Sequence, residues 1–233
     1  MALIRFDIMT LFPELCDTVL SESIIGRARA AGIVEVFCHN IRDYSKDKFR
    51  RVDDTPYGGG KGMLMKPDVV CDCFDAITAG AETKPHTIYL SPKGKRFDQA
   101  RAKELSEKER IVLLCGHYEG IDQRAIDEIV DEEISIGDYV LTGGEIPATI
   151  LVDAISRLVP GVLADPECHE KESFGDGLLE YPQYTRPYEF RGVKVPDVLI
   201  SGHHLNIDAW RREEALRLTR EKRPDLLDGS EKG

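Results

Sequence analysis

RIVLLCG, residues 110–116, is apolar from Ile111 to Cys115 and ends on a glycine. A short, unbroken apolar run of this kind suits a central parallel strand covered by helices on both faces. The same rhythm recurs on either side of it. IRFDIM (4–9), IVEVFCHNI (33–41) and HTIYLSP (86–92) read as strands. FPELCDTVLSESIIGRARAAG, KPDVVCDCFDAITAG (66–80), FDQARAKELSEKE and PATILVDAISRLVPG (147–161) read as helices, several with Pro near the start or Gly after the end. AIDEIVDEEISIG leads through an acidic helix or turn into one more strand. Strands alternating with helices predict an α/β fold built on a parallel sheet.

Three turns follow these strands: YLSPKG (89–94), LCGHYEGID (114–122) and SIGDYVLTGGE (135–145). All three are therefore expected at the carboxyl ends of parallel strands, where ligands of open α/β sheets collect. Their glycines do not make the GxGxxG spacing of a dinucleotide fold, and no GxxxxGK[ST] phosphate loop exists. A single glycine turn is more simply a tight turn. Three that converge point to a ligand approached by backbone N–H and C=O groups. No Lys or Arg in them reads as a grip for a triphosphate, so adenosine without phosphates is the better expectation.

The 233 residues suffice for one α/β domain and a smaller appendage. The opening MALIRFDIMTLF lacks the basic region and cleavage site of a secretory signal, and no apolar run is long enough to cross a bilayer. The expectation is a cytoplasmic protein with no membrane partner. Cys16, Cys38, Cys71, Cys73, Cys115 and Cys168 show no CxxC pairing, and the histidines show no HxxxH or HExxH spacing. Free thiols and no metal site are expected.

The net charge of −11 conceals an uneven distribution. Residues 119–138 carry eight acids against Arg124 alone, whereas 42–66 carry seven bases against four acids and 186–223 nine against six. Two modestly basic regions thus remain available to a polyanion. After Gly161 the composition changes. VLADPECHEKESFGDG (162–177) reads as a linker or mobile loop, then a Pro- and Tyr-rich stretch leads to a terminal amphipathic helix over 203–227. The expected division is 1–161, 162–177 and 178–233.

YLSPKG, CGHYEGID, SIGDYVLTGGE, PYGGGKGM (56–63), GLLEYPQYTRP (177–187) and VPDVLISGHH (195–204), in unbroken order, resemble the bacterial tRNA (guanine-37-N1)-methyltransferases. That family belongs to the knotted SPOUT class. The resemblance implies a parallel sheet flanked by helices with a deep trefoil knot, plus a small, mainly helical C-terminal domain. It also implies a homodimer acting on tRNA with guanine at position 37, and a bent S-adenosyl-L-methionine held by the three turns. The cofactor contacts it implies are Tyr89, Leu90, Ser91 and Pro92 from the first turn. Gly116, Tyr118 and Glu119 come from the second. Ser135, Ile136, Gly137, Asp138, Tyr139, Val140, Leu141, Gly143 and Gly144 come from the third.

N1 of guanine carries a proton at neutral pH, so methylation there calls for a general base and for a donor to stabilise charge moving onto O6. By the resemblance the base maps to Glu172 in KESFGDGLL, where the family usually has aspartate, and Asp176 is its nearest rival. The arginine partner maps to Arg157. Read without the resemblance, Glu172 is a solvated loop acid and Arg157 a cation at a helix C-terminus. Pro56, Tyr57, Gly58 and Gly59 become a wall of the guanosine pocket, with Lys61 standing where the family usually has proline. The family has links to a divalent ion such as Mg2+, which nothing in the sequence locates. Arginines interleaved with Tyr184, Tyr188 and Trp210 in the C-terminal part suit RNA, with Trp210 reading as a core anchor.

Overall fold

The computed structural model describes residues 3–164 and 172–228. Cys168, His169 and the middle of the expected 162–177 loop lie outside the described residues. The chain divides into two compact units, Met1–Ala164 and Asp165–Gly233.

The first unit is built on a parallel sheet of five strands, β1 (Ile4–Thr10), β2 (Val34–Asn40), β5 (His86–Arg96), β6 (Arg110–Cys115) and β7 (Glu132–Ser135). Their order is β2-β1-β6-β5-β7. Between β2 and β5 the short strands β3 (Asp53–Asp54) and β4 (Leu64–Met65) pair antiparallel, ahead of α3 (Pro67–Thr78). The remaining helices are α1 (Pro13–Leu20), α2 (Ser23–Ala30), α4 (Gln99–Ser106), α5 (Gln123–Ile129) and α6 (Glu145–Ser156).

β6 shows why its sequence is continuously apolar. Ile111, Leu113 and Cys115 enter a core with Leu20, Ile25, Leu105 and Leu151, from α1, α2, α4 and α6. Val112 and Leu114 enter a second core with Val70, Phe74 and Ile126, from α3 and α5. Alternate residues of one strand thus serve opposite faces, and both faces are covered.

A charged group is buried inside this sheet. The Asp7 carboxylate is fully buried, where it accepts from Arg5 Nη2 at 2.8 Å and Arg110 Nε at 2.8 Å, and meets His39 Nε2 at 2.7 Å. Burial pushes its pKa up, but the hydrogen bonds from His39, Arg5 and Arg110 outweigh it and bring the value down to about 2.

The helix expected over 203–227 is two, His204–Lys222 and Asp225–Asp228, parted before Pro224, and three expectations about elements of the first unit change. The single helix read across 12–32 is two, broken at Ser21–Glu22, because the Ser21 carbonyl packs where a side chain at Gly26 would stand. YLSPKG does not end its strand. β5 runs on to Arg96, with Leu90 and Lys95 both registered on Ile134, so residues 91–94 bulge out between them. Gly94 permits this because a Cβ there would collide with the Glu133 backbone. Finally, α6 begins at Glu145 rather than Pro147, capped by Gly144.

The second unit carries the hairpin β8 (Glu189–Phe190) and β9 (Val193–Lys194), then α7 (Asp197–Ile200), α8 (His204–Lys222) and α9 (Asp225–Asp228). Thr219 of α8 is fully buried; its hydroxyl donates to Ala215 O and accepts from Leu179 N at 2.9 Å, tying the preceding chain to the helix. Trp210 is half-buried, its ring 6.3 Å from that of Tyr184.

Candidate active site

The bulge of β5 and the turns after β6 and β7 enclose a cavity of about 270 Å³. Every cofactor contact expected from the sequence lines it except Asp138, which is exposed and lies outside the lining. The three turns, separated in the chain, are thus brought to one place.

Close backbone approach explains the glycines. Gly144 N donates to Gly116 O at 3.0 Å, joining the third turn to the second. A Cβ on Gly144 would lie 2.6 Å from Cys115 Cα, and one on Gly116 would lie 2.8 Å from the Tyr89 hydroxyl. Burial first, then the nearby Glu133 carboxylate, pushes the Tyr89 phenol up to about 12, so it stands in the cavity wall as a neutral hydroxyl. In the third turn Ser135 Oγ donates to Gly137 O at 3.0 Å and accepts from Gly137 N at 3.2 Å. Gly137 itself has φ +148°, a conformation that side chains disfavour.

Two features mark the cavity as a place for a ligand. Among the described residues no hydrogen bond engages the backbone of Val140, Leu141, Thr142 or Gly143. Among them too, His117 Nδ1 is buried without a partner, its ring against Phe12 at 5.0 Å and Tyr118 at 4.9 Å. Residues 140–142 are exposed, so their backbone is open to solvent or to a ligand; a buried polar atom left unpaired is rare, so His117 Nδ1 favours an occupant that supplies the missing partner. His117 escaped the sequence reading although it directly follows Gly116 in the second turn. Lys93 did too: it lines the cavity, so the first turn does bring a cation, opposite in sign to the Glu119 carboxylate of the second.

Below the cavity, Glu145 is buried, with its Oε1 accepting from Thr10 Oγ1 at 2.7 Å.

Pro56, Tyr57, Gly58 and Gly59 do not line this cavity, and Tyr57 is almost wholly exposed. Their loop is nevertheless fastened to the second turn. Glu119 N donates to Met63 O at 3.0 Å, Met65 N to Gly120 O at 2.9 Å and Asp122 N to Met65 O at 3.0 Å. Gly62, at φ +92°, packs where a Cβ would collide with the Glu119 side chain.

Arg157 caps the C-terminus of α6 in the first unit. Glu172 and Asp176 share a separate cavity within the second unit, and Asp176 Oδ2 lies 3.8 Å from Arg212 Nη1. Among the described residues no group of three or more His, Cys, Asp or Glu side chains is arranged to hold a metal ion. Nor is any helix among them long and apolar enough to cross a membrane.

A family model described as tRNA (Guanine-1)-methyltransferase TrmD matches residues 4–229. The chain belongs to this methyltransferase family. Within the tRNA (guanine-1)-methyltransferase family it is similar to the tRNA (guanine-N(1)-)-methyltransferase of Ruminiclostridium cellulolyticum, 60% identical over 96% of each chain. The protein of that name from Clostridioides difficile is 58% identical, over 97% of this chain and 98% of its own. That of Geobacter sulfurreducens is 54% identical, over 97% and 92%. Family membership also gives the five-stranded parallel sheet its class, the α/β fold of SPOUT methyltransferases.

Proposed function

We propose that the protein methylates N1 of guanine 37 in tRNA, using S-adenosyl-L-methionine. The observation that carries this reading is the three-turn cavity, with its glycine-lined walls and, among the described residues, the unpaired His117 Nδ1. Such walls fit an adenosine read by main-chain groups, and Lys93 and Glu119 match in sign the carboxylate and ammonium of an amino-acid end. When bound, the cofactor supplies an electrophilic methyl on its sulfonium.

The chain's own residues account for the rest. Glu172 accepts the N1 proton of guanine, and Arg157 stabilises the negative charge that moves onto O6. Pro56, Tyr57, Gly58 and Gly59 wall the guanosine, and their attachment to the second turn ties that wall to the cofactor site. Residues 1–161 hold the cofactor, 162–177 form the loop that brings the base, and 178–233 grip the tRNA. The working unit in this reading is a cytoplasmic homodimer, one subunit's cofactor being served by its partner's loop. The deep knot belongs to the same proposal and rests on membership of the family. No step is assigned to Mg2+, for which the described residues offer no donor set.

The test is methyl transfer from labelled cofactor to two tRNA transcripts, with guanine or adenine at position 37. Label on N1 of the guanine transcript alone is expected. With Glu172→Gln, kcat should fall by about 10²–10⁴-fold. An undiminished variant moves the base to Asp176 or elsewhere, and no label in the wild type overturns the reading.

A further inference from the structure

Residues 42–51, RDYSKDKFRR, carry five bases against two acids in a chain whose net charge is −11. Among them Phe49 is 67% exposed. Lys48 Nζ lies 4.7 Å and Arg51 Cζ 5.7 Å from the centroid of its ring. Apolar side chains exposed singly need no special reason. Phe49 differs in what holds it out.

The Asp47 carboxylate accepts from Phe49 N at 2.7 Å through one oxygen and from Arg51 Nε at 2.7 Å through the other. Arg50 N donates to Asp47 O at 2.9 Å, Ser45 Oγ to Arg51 O at 2.7 Å and Arg42 Nη1 to Arg50 O at 3.2 Å. Arg50 itself stands at φ +54°, a left-handed conformation that residues with side chains seldom adopt. The turn is thus bonded on both sides of Phe49 and strained at Arg50, and the ring still faces water. Strain of this kind gathers where a ligand is held. Val52 follows, its O accepting from Lys66 N at 2.8 Å, and β3 then opens the hairpin with β4 whose connecting loop contains the glycine run.

We propose that Phe49, with Lys48 and Arg51, forms a platform on which an unpaired nucleotide of the tRNA stacks whatever its base, an inference that rests on tRNA being the substrate. Every base offers the ring a π face, and every nucleotide brings a phosphate for the cations beside it. The local excess of bases, on a chain that is acidic as a whole, selects a polyanion over a second copy of this protein. The acceptors of the turn are already engaged, both Asp47 oxygens and the Arg50 and Arg51 carbonyls included. What remains on offer is a ring face and N–H donors, a grip that does not read sequence. Phe49 and the glycine loop belong to one continuous stretch of chain closed at Val52 and Lys66, so a nucleotide held at Phe49 fixes the RNA relative to the wall proposed for the reacting guanosine.

Binding of a fluorescein-labelled tRNA transcript to the full chain tests this, with the cofactor Kd read separately by calorimetric titration. Phe49→Leu keeps an apolar side chain and removes the π face, so it should weaken transcript binding about tenfold and leave the cofactor Kd in place. Phe49→Tyr, which keeps a ring, should restore most of the affinity. Lys48→Ala should reduce the salt slope of binding by about one. Phe49→Trp reads the stacking itself: unlabelled transcript should quench its emission beyond the quenching of Trp210 in the wild type. Phe49→Leu protein that binds the transcript as tightly as the wild type overturns the proposal, and so does Phe49→Trp emission that shows no extra quenching. Wild-type protein that labels guanine 37, beside a Phe49→Leu variant of undiminished affinity, sinks this inference alone. Phe49-dependent binding of a transcript that gains no label sinks the catalytic reading and leaves the platform.

Discussion

Gly144 N and Gly116 O are 3.0 Å apart, and through that hydrogen bond the turn after β7 is fixed to the turn after β6. The contact leaves no room for a side chain. In Gly144→Ala the new Cβ would stand 2.6 Å from Cys115 Cα, which is backbone and cannot swing aside. Overpacking of this kind costs about 1–3 kcal/mol, expected as a lower denaturant midpoint. Cofactor affinity measured by calorimetric titration should fall with it. A variant with wild-type affinity and midpoint would show that the two turns are free to separate.

Thr10 supplies the hydrogen bond that keeps Glu145 satisfied beneath the same cavity. Thr10→Val keeps the shape and removes the hydroxyl, leaving a buried carboxylate one partner short and Phe12 N without its acceptor. A loss of about 1–3 kcal/mol is expected in chemical denaturation. Adding Glu145→Gln to it should recover part of that loss, because a neutral amide is cheaper to bury than a carboxylate.

Gly62 combines a left-handed backbone with contact against the Glu119 side chain. Gly62→Ala should therefore displace the glycine loop from the second turn. Steady-state kinetics should show a KM for tRNA raised several-fold, with the cofactor Kd, read by titration, changed in the same direction. Unaltered kinetics would mean that the loop and the cofactor turn act independently.

Asp7 gives the sheet a pH dependence with a definite sign. Its folded pKa lies near 2, below the ordinary carboxylate value of 3.8. The stabilisation is fully present above the unfolded value and is lost as pH falls from about 4 toward 2. The shift corresponds to about 2 kcal/mol. Stability measured across that range should decline less steeply in Asp7→Asn, whose absolute stability at neutral pH should be lower by about 3–5 kcal/mol, because Arg5 and Arg110 then lose their counter-charge.

The parallel sheet was legible because its strands are buried on both faces, and a run such as Ile111–Cys115 has few other uses. Convergence of the turns after β6 and β7 followed from the same rule, since parallel strands put their carboxyl ends on one side; YLSPKG joins them as a bulge within β5. What escaped the reading depended on contacts distant in the chain. The bulge at 91–94 is set by the register of β5 on β7, and the break at Ser21 by a carbonyl that needs Gly26 bare. His117 looked like an isolated histidine until the fold placed it against Phe12 beside the cavity. Asp138 was swept in with its neighbours although it points to solvent, a distinction that residue spacing in an irregular turn does not carry. Arg211 was legible only as one basic residue among many. Among the described residues its Nε has no partner, which follows from the packing of α8 against the 172–181 segment.

Four glycines between Gly58 and Gly62 all hold positive φ, and the first three would meet nothing within 4 Å if given side chains. That stretch is fastened at its Met63 end and open at its tip, so if it walls the guanosine as proposed, favourable enthalpy must offset the entropy lost on ordering it. Association with RNA should accordingly release heat and lose entropy, most of the entropic loss residing in the protein's own backbone rather than in its side chains. Stiffening the tip before the RNA arrives would then tighten the complex without adding a single contact.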